Sequence, residues 1–394
     1  MKLWFMSVNR VTDVDFIRYG LQELASKGVE INVVDLSALM WGAEDYRTHN
    51  TLTFNMIFCN SLYEYKDVIN SIGKNEVVLC GGVLSSYLHL ILARKCKYIG
   101  VQTLGAIPHS APIKNSKFLN LLSRFNTDKL ASKIYKKVFN RFVFKFYPFY
   151  FVQRSGSLSS GLYSGIVSKT IILESQCYDI YQKLYQKKIE KTLSKYRSDL
   201  NGEYFLWIDQ AIPFHTDTLK CNGDISRYAK DYFDRIQKLL RFFEVRYKVK
   251  VIVALHPRII IDHRYTDMWI GWNTSTTNTI DLIEKAKFCI THNSTAIHAA
   301  VYFNKPLMVI KDKLLTDNGY DIGITDSFFY ELDCNLIESD CVISELPELK
   351  FKINEEKYSN YINRYVSNTP AQYPINADVL YDFIYTLSSS KDLN

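Results

Sequence analysis

The feature of this chain that most restricts its fold is a rhythm: short runs of strand-forming residues alternate with helical stretches, and the alternation stops and starts again. In the amino-terminal half the runs are "KLWFMSV", "EINVVDL", "TFNMIFC", "EVVLCGG" and "KYIGVQT", with helical stretches over about 14–26, 65–72 and 87–95. Strands separated by helices are not joined as hairpins, so they lie parallel, and a parallel sheet carries helices on both faces. "TIILESQ" and a charged helical stretch from Tyr178 to Tyr196 lead into the polar loop "RSDLNGE". Beyond it the rhythm restarts with "YFLWID", a long helix over 225–247, "VKVIVALHP", a helix around 280–287, "FCITHNS", a helix over 295–303 and "PLMVI". The pattern predicts an α/β protein of two doubly wound domains, residues 1–200 and 201–354, with a helical tail over 355–394 that packs back on the first domain.

A chain of 394 residues, 47% of them hydrophobic, has enough apolar material for two such cores. Its eight cysteines are scattered, with no C-x-x-C pair and no His/Cys cluster at metal-ligand spacing. Several, such as Cys80 and Cys289, sit inside apolar runs, which implies reduced core thiols of a cytoplasmic protein and excludes a disulfide framework. The start "MKLWFMSVNRVTD" lacks the apolar region of a signal peptide, and no run reaches the ~18 apolar residues of a spanning helix. A cytoplasmic protein, soluble or peripheral at the inner face of the membrane, is expected.

The net charge of +7 is unevenly spread. Between Ala111 and Tyr150 stand nine basic residues against one acid, Asp128, a surplus that exceeds that of the whole chain. The segment ends in "FNRFVFKFYPFYFV", where aromatic residues interleave with Arg141 and Lys145. That composition suits an anionic membrane surface, met through residues 114–151. The competing reading is a solvated basic helix packed by its aromatic side on its own domain. Nucleic acid is not expected as a partner, because no recognition-module signature accompanies the charge.

In open α/β sheets ligands bind outside the carboxyl ends of the strands. Three strand ends of the second half are polar in apolar surroundings: Asp209 and Gln210 in "WIDQ", His256, Pro257 and Arg258 in "LHPR", and His292, Asn293, Ser294 and Thr295 in "THNST". The third begins a helix, so its polar corner reads either as a plain N-cap or as a cradle for an anion on the helix N-terminus. At "LHPR" the proline stops the strand and holds His256 extended at its end, where an imidazole titrating near neutrality suits a leaving phosphate. Arg258 adds a fixed positive charge. With two phosphate-friendly elements on one sheet, a nucleotide-phosphate cradle is expected at Asn293–Thr295, with Gln210 and His292 lining the substrate. No D-x-D pair has a metal-ligand setting, so neither metal nor cofactor is expected.

An Asp-containing strand end, then a His-Pro dipeptide, then a Ser/Thr pair opening a helix that leads to "NKP" resembles the GT-B glycosyltransferases that use CMP-activated acid sugars. These are the bacterial sialyltransferases and the Kdo transferases of capsule and lipopolysaccharide synthesis. The resemblance covers mainly residues 203–310. It implies two Rossmann-type domains facing a cleft, with CMP bound through His256, Pro257, Ser294 and Thr295. It also implies an acid sugar such as Kdo, sialic acid or another nonulosonic acid as the transferred group, and a glycan or lipid-linked glycan as acceptor. The acidic pair followed by Gly that the sialyltransferases carry in the first domain is absent here. Asp209, beside the sugar as base or nucleophile, and His256, at the departing phosphate, are the candidate catalytic pair, with Glu174 in "IILESQ" as the first-domain acid. Two other readings stay open. One is a CDP-polyol phosphotransferase or nucleotide-diphosphate hexose transferase on the same architecture, and the other is a non-catalytic binding protein that keeps the fold. Oligomeric state is not read from the sequence.

Overall fold

The computed structural model describes residues 1–11, 13–41, 54–82, 84–102, 142–143, 146, 149–154, 167–173, 178, 204–215, 225–256, 259, 262–276, 279–318, 323–367 and 376–389. The chain divides into two compact units. One comprises Met1–Ala106, Pro112–Ile180 and Ser367–Asn394, and the other Ile107–Ala111 and Tyr181–Val366.

The first unit is built on strands β1 (Lys2–Ser7), β2 (Glu30–Asp35), β3 (Asn55–Phe58), β4 (Val77–Cys80), β5 (Tyr98–Gln102), β6 (Phe149–Arg154) and β7 (Val167–Leu173). All pairings are parallel, in the order β3-β2-β1-β4-β5-β6-β7. Successive side chains of β1 alternate between faces, so Trp4 and Met6 enter one core layer and Leu3 and Phe5 the other. The stretch read as one helix over 14–26 forms two, Asp13–Arg18 and Leu21–Ser26, with Gly20 between them at φ +68°. A side chain at Gly20 would also touch Ala377, so the break lets the helix Asn376–Ser389 pack closely. That helix completes the second layer with Leu380, Ile384 and Leu387, and Asp378 pairs with Lys27 at 2.7 Å.

One expectation is corrected in this unit. Phe149, Tyr150 and Phe151, read as the end of a lipid-facing segment, lie in β6, where all three pair with β7 and Tyr150 and Phe151 also with β5. Consecutive aromatic residues have strand propensity, and here the sheet takes them. Phe142 and Phe146, earlier in that segment, are 58% and 60% exposed with ring centroids 4.6 Å apart. The rest of the basic segment, and the helix expected over Tyr178–Tyr196 apart from Tyr178 itself, lie outside the described residues.

The second unit carries β8 (Tyr204–Ile208), β9 (Lys250–Ala254), β10 (Asn273–Ser275), β11 (Phe288–Thr291), β12 (Leu307–Lys311) and β13 (Asn335–Glu338), all parallel, in the order β10-β9-β8-β11-β12-β13. The long helix Ala229–Tyr247 buries Tyr232, Phe233, Ile236, Leu239, Leu240 and Phe243, a stripe at helical spacing that faces the sheet. Burying each such side chain contributes about 1.5–3 kcal/mol. The tail divides: Glu355–Tyr361 and the π-turn Ile362–Val366 stay in the second unit, where Tyr358 Oη donates to the Lys305 carbonyl at 2.8 Å.

Candidate functional site

Strand order in the second sheet runs outward from β8 through β9 to β10 on one side and from β11 through β12 to β13 on the other. The two windings diverge between β8 and β11, and a crevice opens at the carboxyl ends of strands at such a switch point. Asp209 and Gln210 follow β8, and His292 to Thr295 follow β11, so both groups flank that point. His256 follows β9 on the far side of β8, two inter-strand spacings or about 10 Å from the end of β11.

Gln210 and Asn293 close the switch point. Gln210 Nε2 donates to Asn293 Oδ1 at 2.9 Å, and the Asn293 backbone N–H donates to Gln210 Oε1 at 3.0 Å. The two hydrogen bonds lock both side chains, and Thr291 Oγ1 adds a third tie to the Ile208 carbonyl at 3.1 Å.

The corner Asn293–Thr295 differs from the expected helix start. The helix runs over Ile297–Tyr302, and residues 294–296 form a turn. Ser294 Oγ accepts the Ala296 N–H at 3.2 Å, while the N–H groups of Ile297 and His298 donate to the carbonyls of Ser294 and Thr295. Amides the sequence suggested for a phosphate are thus partly used within the turn. Thr295 is exposed and Ser294 half-buried at its tip.

His292, expected to line the substrate, sits in a hydrogen-bonded network. It is buried, and Nδ1 donates to the Ile310 carbonyl at 2.6 Å, since a carbonyl only accepts. Its Nε2 is hydrogen-bonded to the Tyr232 hydroxyl at 2.7 Å. Next to it Asp312, at the end of β12, accepts from Arg235 at 3.0 Å, from the Leu314 N–H at 2.8 Å and from Ser339 Oγ. Burial pushes the Asp312 carboxyl up, but the Ser339 hydrogen bond and the charges of His292 and Arg235 outweigh it and hold the group below its ordinary range. The network ties the ends of β11, β12 and β13 to the long helix.

Asp209, expected beside a sugar, is 2% exposed. Its Oδ2 accepts the Trp269 indole N–H at 2.8 Å and its Oδ1 the Ala211 N–H at 3.1 Å, and Tyr265 is a further hydrogen-bond partner. Burial raises its pKa against these hydrogen bonds. Through these hydrogen bonds Asp209 ties together the loops around it. Tyr265 in turn accepts the His256 backbone N–H at 2.9 Å, which fixes the end of β9. His256 is half-buried at the mouth of the sheet, with its ring against His215. His215 was not singled out from the sequence, though it lies six residues after Asp209, and neither were Tyr232, Tyr265 and Trp269. Their roles come from tertiary contacts that leave no spacing signal. Glu174, Pro257 and Arg258 lie outside the described residues. Among the described residues no group of three or more His, Cys, Asp and Glu could hold a metal ion, and no helix is long and apolar enough to cross a membrane.

No family model matches the chain, and no curated protein matches it. Solved structures do. The wall teichoic acid polymerase TagF, as one variant, matches over 99% of this chain and 89% of its own at 10% identity, with a TM-score of 0.56. The same variant after a 15-minute soak with CDPG matches over 99% and 90% at 12% identity, with a TM-score of 0.55. A second TagF variant matches over 99% and 90% at 11% identity, with a TM-score of 0.54. At such identity the likeness is one of fold: two Rossmann-like domains with flanking helices, consistent with GT-B architecture.

Proposed function

We propose that this chain is a GT-B-type transferase that binds a nucleotide-activated donor on its second unit and passes the activated group to a bacterial surface-glycan acceptor. The observation that carries the reading is the switch point between β8 and β11. There Gln210 and Asn293 hold each other, Ser294 and Thr295 edge the crevice, and His256 stands on the adjacent strand end. Pro257 and Arg258 are assigned to the phosphate with His256, and Glu174 is kept as the candidate acid of the first unit.

The setting of Asp209 supports one donor class over the other. Transfer of an acid sugar from CMP passes through an oxocarbenium-like state that calls for a carboxylate at the anomeric carbon. Asp209 is enclosed by Trp269, Tyr265 and Ala211, so the second unit offers no such group on β8. Phosphoryl transfer asks instead for positioning and charge stabilisation around the phosphate. A CDP-polyol phosphotransferase is therefore preferred to a CMP-sugar glycosyltransferase, and the fold likeness to TagF, one of whose structures was soaked with CDPG, supports that preference. Calorimetric titration with CDP, CMP and UDP tests the nucleotide. Mass spectrometry after incubation with a CDP-polyol or CMP-Kdo and a phosphorylated polyol acceptor tests the reaction. CDP binding with transfer from the CDP-polyol is expected; turnover of CMP-Kdo alone would restore the acid-sugar reading.

Work at an anionic membrane surface is part of the same proposal. It is supported by the basic surplus of residues 111–150 and by the exposed pair Phe142 and Phe146. Each basic residue near such a surface contributes on the order of 1 kcal/mol, lost as salt rises. Co-sedimentation with anionic but not neutral vesicles is expected, weakened by Phe142→Ser with Phe146→Ser.

A further inference from the structure

We propose that His215 and His256 act together as a two-imidazole clamp for the phosphate of the nucleotide donor, which places the anion site on the β8–β9 side of the switch point. The inference rests on the donor reading above and names a binding residue, His215, that the sequence did not reveal.

The two rings lie with centroids 4.8 Å apart and planes at 87°. Both are half-buried and both stand at the carboxyl edge of the sheet, His256 directly after β9 and His215 after the short turn that follows β8. Two imidazoles at right angles can direct N–H donors along two directions. That suits the tetrahedral oxygens of a phosphate better than a planar carboxylate.

One buried carboxylate holds both loops. Asp209 accepts the Ala211 N–H, and Ala211 adopts the left-handed conformation at φ 48° that starts the turn Ile212–Phe214. The turn closes with the His215 N–H on the Ile212 carbonyl at 3.2 Å. On the other side Asp209 bonds Tyr265, whose hydroxyl receives the His256 N–H. A left-handed alanine persists only where its surroundings over-determine it, and such positions gather at functional sites. Here what the strain fixes is the placement of His215 against His256. Beside His215, the Arg264 guanidinium lies over the Phe214 ring at 5.4 Å and is held by Asp262 at 2.8 Å.

The test uses the full chain with histidine selectively labelled with carbon-13 at the ring Cε1, together with His215→Gln, His256→Gln and the double variant, each checked for folding by circular dichroism and thermal melting. Titration with inorganic pyrophosphate should move two ring signals in the parent, and the two single variants assign them. Calorimetry should show CDP binding weakened about tenfold by either single substitution, as expected for loss of a charge-assisted hydrogen bond, with the double variant little worse than the poorer single. If His215→Gln binds CDP like the parent, or if pyrophosphate moves the His256 signal alone, the clamp is wrong and the donor reading stands. If pyrophosphate moves both signals but CDP, CMP and UDP do not bind, the clamp stands as an anion site and the nucleotide reading falls. If neither anion nor nucleotide binds, both fall.

Discussion

A carboxylate enclosed by an indole, a phenol and a backbone amide acts through what it holds. Asp209→Asn keeps one acceptor oxygen but turns an NH2 group toward donors that the second oxygen now satisfies. A buried polar mismatch of this kind costs about 1–3 kcal/mol. Urea denaturation should show that loss, and calorimetry should show weaker CDP binding as the loops of His215 and His256 loosen. Unchanged stability together with a pure loss of turnover would return Asp209 to a chemical role. His298, on the helix that follows the Ser294 turn, illustrates burial without partners of opposite charge. Desolvation holds its ring down to about 4, from an ordinary 6.5, and its Nδ1 lies 3.4 Å from the Tyr361 hydroxyl. The folded state resists a proton that the unfolded chain takes up below 6.5. Stability attached to this group is therefore complete at neutral pH and lost as pH falls from 6.5 towards 4, by up to about 3 kcal/mol. His298→Asn keeps a hydrogen-bonding group for Tyr361 and cannot titrate, so the difference in unfolding free energy between pH 7 and pH 5 should shrink by about 2 kcal/mol, the part of that contribution lost over this range. An identical acid slope in the variant would place the effect elsewhere.

At the scale of elements, the glycines separate two costs that composition alone merges. Gly28 ends the helix Leu21–Ser26 at φ +82° with nothing near a would-be side chain, so Gly28→Ala pays only for the left-handed backbone, about 1–2 kcal/mol. Gly81 follows β4, where a Cβ would lie 2.8 Å from the Phe5 ring and 3.2 Å from that of Tyr19. Both rings belong to the second core layer, so Gly81→Ala is an overpacking change, expected to cost about 1–3 kcal/mol and to shift the near-ultraviolet signal of the aromatic cluster, which Gly28→Ala leaves alone. Matching near-ultraviolet spectra for the two variants would contradict that distinction. The strands that position the site were legible because their buried faces write unbroken apolar runs such as "YFLWI" and "FCIT". The edge strands β10 and β13 were missed: Asn273–Ser275 is a polar three-residue strand, and Asn335–Glu338 is half-covered. The strand ends that carry Gln210, His256 and Asn293 were readable as polar stops. What each side chain does there was not, because Trp269 and Tyr265 reach Asp209 from about 60 residues away, and His292 is claimed by Tyr232 over the same separation.

For the whole molecule, the path of the chain matters more than the count of its domains. The last helix, Asn376–Ser389, belongs to the first unit, although the second lies between them in sequence. Leu380, Ile384 and Leu387 sit in the core layer with Leu3, Phe5, Val33 and Leu79. At about 1.5–3 kcal/mol for each fully buried side chain, the three together contribute roughly 5–9 kcal/mol as an upper estimate. Domains are stable by about 5–15 kcal/mol, so removing the helix takes away most or all of the margin of the first unit and none of the core of the second. A chain ending at Val366 should therefore exchange its amide hydrogens rapidly in β1, β2 and β4 while β8, β9 and β11 stay protected. A synthetic peptide of residues 376–389 added in excess should restore part of the lost protection, because it refills the same layer and Asp378 again meets Lys27. If β1 and β2 in the truncated chain exchange as slowly as in the parent, the first unit is stable without its returning helix, and residues 1–200 would form a domain by themselves.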